Sequence, residues 1–199
     1  MPLVRHVPTE SIALTDLWAD LRRVSDALGV PERGVQLITR LRTRLEAVAL
    51  RAAQQPRRPR VACLAGLEPP VAAAGWISEL IALAGGEDVL GVPGAWPRAV
   101  PAEELERADP EVIVLAPAGM DLPAALAAAH LLASRSGRPG LRAVREGRLH
   151  VADGTALFGR PGPQVAEALE TLAEMLHPAA FRFGHEGKAW MRIESGSGT

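Results

Sequence analysis

Five histidines, two adjacent glutamates and one cysteine are the residues of this chain whose types suit covalent or metal chemistry, and their spacing argues against each use. His6, His130, His150, His177 and His185 are scattered, and none stands four residues from another histidine or beside a cysteine, as a zinc pair on a helix would. Cys63 is the single cysteine, so it forms no internal disulfide; it lies in the apolar run Val61-Ala62-Cys63-Leu64 and reads as a buried thiol. Glu103-Glu104 suit general acid/base work as a pair, yet they follow Pro101 at a helix start, where carboxylates favour the helix dipole in any protein. No Gly-x-Ser-x-Gly, no Gly-x-x-x-x-Gly-Lys and no paired cysteines occur. What remains is non-covalent binding, and the scarce aromatics point there. Trp76 follows Gly75 at a helix start, Trp96 sits between Ala95 and Pro97, and Phe158 lies in the Gly/Pro-rich stretch 153–162, while Tyr is absent. Three large rings on loops suit a flat, partly apolar ligand, with Arg160 as a polar group to orient it. Trp18 falls on the apolar side of a helix and reads as core.

The elements that must position these rings alternate. Thr15-Asp16 opens a helix with apolar Leu17, Trp18, Leu21, Val24 and Leu28, ended by Gly29. Pro31 opens a second helix of about 24 residues, roughly 36 Å long. It carries Val35, Ile38, Leu41, Leu45, Val48 and Ala52 on one stripe. Strands are expected at Val61–Leu64, Asp88–Leu90, Val112–Leu115 and Leu149–Val151, and helices at Trp76–Ala84, Pro101–Arg107, Leu122–Ser134, Leu141–Glu146 and Pro163–Leu176. The run Val112–Leu115 is apolar on both faces, as a buried parallel strand requires. The fold class is therefore α/β: a three-layer sandwich with a small, mostly parallel sheet of about four strands, preceded by a long helix. Ligands of such sheets lie at the carboxyl ends of the strands. The loops 66–75, 116–121 and 153–162 are expected to converge there.

Composition narrows the rest. The chain has 199 residues, 48% of them hydrophobic, which suits one packed core plus an appendage. A net charge of −1 gives no electrostatic reason to expect nucleic acid. No apolar run reaches the length needed to span a bilayer. Met1–His6 lacks the apolar segment of a signal peptide, and Ser195–Thr199 reads as a frayed end.

Several motifs resemble the vitamin B12-binding proteins of bacterial ABC importers, within the helical-backbone group of substrate-binding proteins that also carry iron–siderophores and haem. They are Asp16–Val24 with Ala27-Leu28-Gly29, Arg60–Leu64, Glu68-Pro69-Pro70, Gly85-Gly86-Glu87-Asp88, Ala108–Leu115, Val144–Arg148, Phe158–Pro163 and Leu172–Pro178. The resemblance implies one lobe of a two-lobe substrate-binding protein. Residues 1–30 would be an interlobe remnant, 31–55 the long spine helix, 56–185 the ligand-binding α/β lobe and 186–199 a tail. It implies no catalysis and no resident cofactor. Cobalamin or a related corrinoid would be the transported ligand, with an iron–siderophore or haem as the alternative of the same fold and a non-ligand-binding interaction module as the alternative of another class. By position, Trp96 matches an aromatic contacting the corrin, Trp76, Phe158 and Arg160 fall on cleft-facing loops, and Glu103 matches the acidic residue that docks on permease arginines. A full member of that group would carry a first lobe ahead of Thr9. A single lobe would leave half of the spine's apolar stripe uncovered, so self-association is expected. The resemblance places the protein outside the cytoplasm, whereas the missing export signal would keep a complete chain inside.

Overall fold

The computed structural model describes residues 11–136 and 141–193. His6, the start of the N-terminal segment and the end of the tail lie outside the described residues.

Two helices come first, α1 (Leu14–Ala27) and α2 (Pro31–Ala52). Asp16 accepts hydrogen bonds from the backbone N–H groups of Ile12 and Ala13 (3.1 and 2.9 Å), which fixes the start of α1. Gly29 turns the chain at a φ of +71°, and Pro31 occupies the first turn of α2. The 22 residues of α2 measure about 33 Å. The sheet elements follow: β1 (Arg60–Leu67), β2 (Pro70–Ala72), α3 (Trp76–Leu83), β3 (Glu87–Asp88), β4 (Arg98–Ala99), α4 (Ala102–Ala108), β5 (Val112–Leu115), α5 (Leu122–Ser136), α6 (Arg142–Arg145), β6 (Leu149–Ala152), α7 (Val165–Leu176) and β7 (Trp190–Arg192).

The strands run in the order β4-β2-β1-β5-β6-β7, and β3 pairs with the beginning of β1. β1, β5, β6 and β3 are mutually parallel; β2, β4 and β7 add antiparallel pairings. Alternation along β1 and β5 divides the core into two layers. Val61, Cys63, Val112 and Val114 face α1, α2, α3 and α7, while Ala62, Leu64, Ile113 and Leu115 face Leu105 of α4, Ala125 of α5 and Ala143 of α6. The three-layer architecture expected from the sequence is present, with short antiparallel additions at both sheet edges that periodicity did not show. Cys63 is fully buried, and desolvation pushes its thiol pKa up, as expected of an inert core thiol.

The long helix differs from expectation in one respect. Ile38, Leu41, Leu45, Val48 and Ala52 are buried, and α2 packs along α1, α3 and α7, so most of the stripe is already covered inside this chain. Val35 alone of the stripe is exposed, beside Leu28 at the α1–α2 turn. The expectation of a half-uncovered spine, and the self-association argued from it, loses that basis.

Candidate functional site

Backbone hydrogen bonds bring the loops at the carboxyl ends of the parallel strands together. Ala118 in the loop after β5 donates its N–H to the carbonyl of Ala65 in β1 (2.9 Å), and Gly154 in the loop after β6 donates to the carbonyl of Met120 (3.0 Å). A Cβ at position 154 would stand 2.0 Å from the carbonyl oxygen of Pro117, so only glycine lets these two loops close. Asp153 then accepts from the N–H groups of Thr155 and Ala156 (2.9 and 2.6 Å), a local turn that sets the loop direction. The segment 66–75 is not an open loop: β1 and β2 form a hairpin whose tip is Glu68-Pro69. The exposed residues across this edge are Glu68, Pro69, Ala118, Gly119, Met120, Asp121, Thr155, Ala156, Gly159 and Arg160. Glu68, Asp121 and Arg160 are the charged ones; the others are small or uncharged, so the edge offers apolar and neutral groups with two carboxylates and one guanidinium among them.

Trp96 belongs to the neighbouring flank. The loop between β3 and β4 is tied down by Gly75 N–H to the Val92 carbonyl (3.0 Å) and Ala95 N–H to the same oxygen (3.1 Å). Gly75 has a φ of +63°, and a Cβ there would meet the Ile12 carbonyl oxygen at 2.4 Å and the Ala95 oxygen at 3.1 Å. The start of α1, the β2–α3 junction and the Trp96 loop therefore meet at one glycine. Asp88 holds the chain leading to that loop, accepting from Ser78 Oγ (2.6 Å), Leu90 N–H (3.1 Å) and Gly91 N–H (2.8 Å). This gives the Gly-Gly-Glu-Asp motif a local structural role. The indole of Trp96 is 67% exposed, with Val92 exposed beside it in sequence.

The other two rings are placed differently. Trp76 is 7% and Phe158 6% exposed, and both belong to the main core under α1, α2 and α7. The expectation of three rings on one rim is corrected: Trp76 opens α3 with its indole turned inward, and Phe158 packs with Leu157 and Val165 as the loop enters α7. Trp96 is the ring left with a free face. Arg160 is exposed; its carbonyl accepts from Gln164 Nε2 (2.7 Å), and its guanidinium makes no hydrogen bond or ion pair with the described residues. Trp96 and Arg160 are not neighbours. From β4 to β6 is four strand steps, about 19 Å of sheet, so the loop before β4 that carries Trp96 and the loop after β6 that carries Arg160 belong to opposite flanks of the sheet.

Glu103 stands exposed in the first turn of α4, whereas its neighbour Glu104 pairs with Arg98 (3.0 Å to Nη1), which holds the Glu104 carboxyl below the usual carboxylate range. The adjacent glutamates therefore differ: one is engaged and one faces solvent. Met120, 37% exposed at the centre of the edge, was missed by the sequence reading. Its signal was an unbranched apolar side chain in a Gly-Met-Asp turn. The histidines hold no metal arrangement: among the described residues no group of three His, Cys, Asp or Glu side chains clusters. No described helix is long and apolar enough to cross a membrane.

No protein-family model matches this chain, and no curated protein matches it. Solved structures do. A periplasmic heme-binding protein from Pseudomonas aeruginosa shares 26% identity over 93% of this chain and 67% of its own, with a TM-score of 0.76. An ABC transporter substrate-binding protein from Listeria monocytogenes EGD-e shares 20% over 83% and 65%, TM-score 0.72. IsdE of S. aureus, solved with heme, shares 18% over 85% and 66%, TM-score 0.72. The chain thus spans about two thirds of the length of these proteins, and its fold is that of ABC-importer substrate-binding proteins. They are binding proteins, in keeping with the lack of catalytic spacing in this sequence.

Proposed function

We propose that this chain is the second lobe and spine of an ABC-importer substrate-binding protein, and that it takes a flat tetrapyrrole against the carboxyl edge of its sheet. The observation that carries the reading is an exposed indole at Trp96 and a guanidinium at Arg160, unpaired among the described residues, on loops of this sheet, on a fold whose solved neighbours are substrate-binding proteins. The indole supplies a flat apolar face and the guanidinium hydrogen bonds for amide or carboxylate side groups. Glu103 serves as an acidic contact for the permease, being exposed and fixed in direction by its helix.

Two ligands fit this frame, each favoured by one observation. The heme-binding proteins among the structural neighbours favour haem. The residues favour a corrinoid: tyrosine is absent and no described histidine lies on the edge loops, so these loops offer neither ligand to a haem iron, whereas a corrinoid carries its metal already bound. Parallel absorbance titrations of the full chain with haemin and cyanocobalamin decide. Saturable binding of one names the ligand class. No response to either removes the transport reading in favour of an interaction module.

A further inference from the structure

The opposite edge of the sheet carries a concavity. A groove of about 270 Å³ opens where β1, β5 and β6 begin and α7 ends, lined among others by Pro56, Arg57, Glu111, Arg148, Leu176 and Pro178. Its size lies just under the ~300–1,000 Å³ of ordinary ligand pockets, which restricts it to a small molecule. Its charge is unbalanced. The buried carboxylate of Glu111 accepts from Arg57 (3.1 Å) and Arg142 (2.9 Å) through the same oxygen, Oε1. Arg142 also pairs with Glu146 on its outer side. Arg148 is left with a single hydrogen bond among the described residues, Nη2 to the carbonyl of Leu176 at 3.3 Å. A guanidinium has five N–H donors, so most of this one is unspent. Burial holds the Arg148 pKa below the ordinary arginine value, against the opposing pull of Glu111 and Glu146. The remaining walls are proline, alanine and leucine, with Gln55 and the half-buried His177 as their polar members.

We propose that this groove binds a small organic carboxylate with a flat apolar body, its head group on the Arg148 guanidinium and its body against Pro56, Leu176 and Pro178. A planar carboxylate matches the planar fork of arginine in two parallel hydrogen bonds. The apolar walls favour a carboxylate with a body over a bare inorganic anion. The site lies across the sheet from Trp96 and Arg160, so it stands or falls apart from the tetrapyrrole proposal.

Benzoate is the probe, titrated into the full chain and followed by amide and arginine Nε chemical shifts. Saturable shifts at Arg148 and at the amides of His177, Ala179 and Ala180 are expected. Arg148→Gln should weaken binding about ten- to hundredfold, the loss of a charge-assisted pair of about 1.5–3 kcal/mol. Since Arg148 also holds the end of α7, Ala179→Trp is the second variant: Ala179 lines the groove and is exposed, so an indole there blocks the body without touching an arginine. Equal binding by Ala179→Trp, displacement of benzoate by equimolar phosphate, or no saturable shift in the wild type would each overturn the proposal.

Discussion

Burial, rather than residue type, sorts the aromatic residues of this chain. Trp76 and Phe158 fill the interior and Trp96 does not, although all three follow or precede glycine or proline in sequence. The difference is one of tertiary packing: Trp76 begins a helix laid on the sheet, so its ring faces the layer beneath. His150 illustrates the same point for a polar residue. It is 1% exposed in β6, lies edge-on to Trp190 at 5.1 Å, and neither ring nitrogen finds a partner. Desolvation, with Arg192 and Arg148 nearby, drives its pKa down to about 3. The native state then refuses a proton that the unfolded chain accepts below about pH 6.5. Stability should be complete above that pH and fall as pH drops toward 3, by up to about 1.4 kcal/mol per pH unit from this group. Urea unfolding of wild type and His150→Leu between about pH 7 and about pH 4.5 checks it. The variant should lose less stability on acidification. Equal losses would show that the imidazole is protonated in the fold.

At the scale of elements, α7 holds more than its sequence suggested. Its apolar stripe called for one buried face, yet Glu170, Thr171 and Glu174 are buried as well. The cause is the segment that follows. Residues 184–190 lie over α7, with Glu174 accepting from Gly184 N–H (2.6 Å), His185 N–H (3.2 Å) and Trp190 Nε1 (3.0 Å). Glu170 takes a two-point bond from Arg44 of α2 (2.6 and 2.7 Å) and a third from His185 (3.0 Å). These two carboxylates fasten the last strand to the helix and the helix to the spine. Glu174→Ala should cost about 1–3 kcal/mol for each of the donors left unpaired, though solvent entering the gap will recover part of it. Hydrogen exchange at Gly184 and His185 should accelerate sharply while β5 stays protected; unchanged protection would mean that β7 pairing alone holds the segment. None of this was legible beforehand. A three-residue strand has no periodicity to read, and the partners are separated by more than a hundred residues in the case of Arg44 and Glu170. The central strands and the long helices were legible, because Val112–Leu115 is apolar on both faces and Pro31–Ala52 keeps its stripe for six turns. The β2 and β4 pieces were not, being three and two residues long in a Gly/Pro-rich stretch. The site was half legible: sequence located the loops that converge, but not which rings they would expose.

On the proposed function, the whole molecule divides into a ligand edge, a side for the importer and a distal groove, with Glu103 proposed for the importer contact. Glu103→Arg should weaken capture by the detergent-solubilised permease of the same importer and leave ligand affinity unchanged, since the residue is exposed in the first turn of α4, outside the edge loops named above. Unchanged capture would remove Glu103 from the interface. The central claim is that a flat ligand rests on the edge flanked by Trp96. Its most direct test is the dissociation constant of the bound tetrapyrrole, by absorbance titration, for wild type and Trp96→Ala. Because the indole is 67% exposed, its removal should leave folding intact, while the lost ring contact should weaken binding about tenfold. Identical affinities in two equally folded proteins would contradict the account.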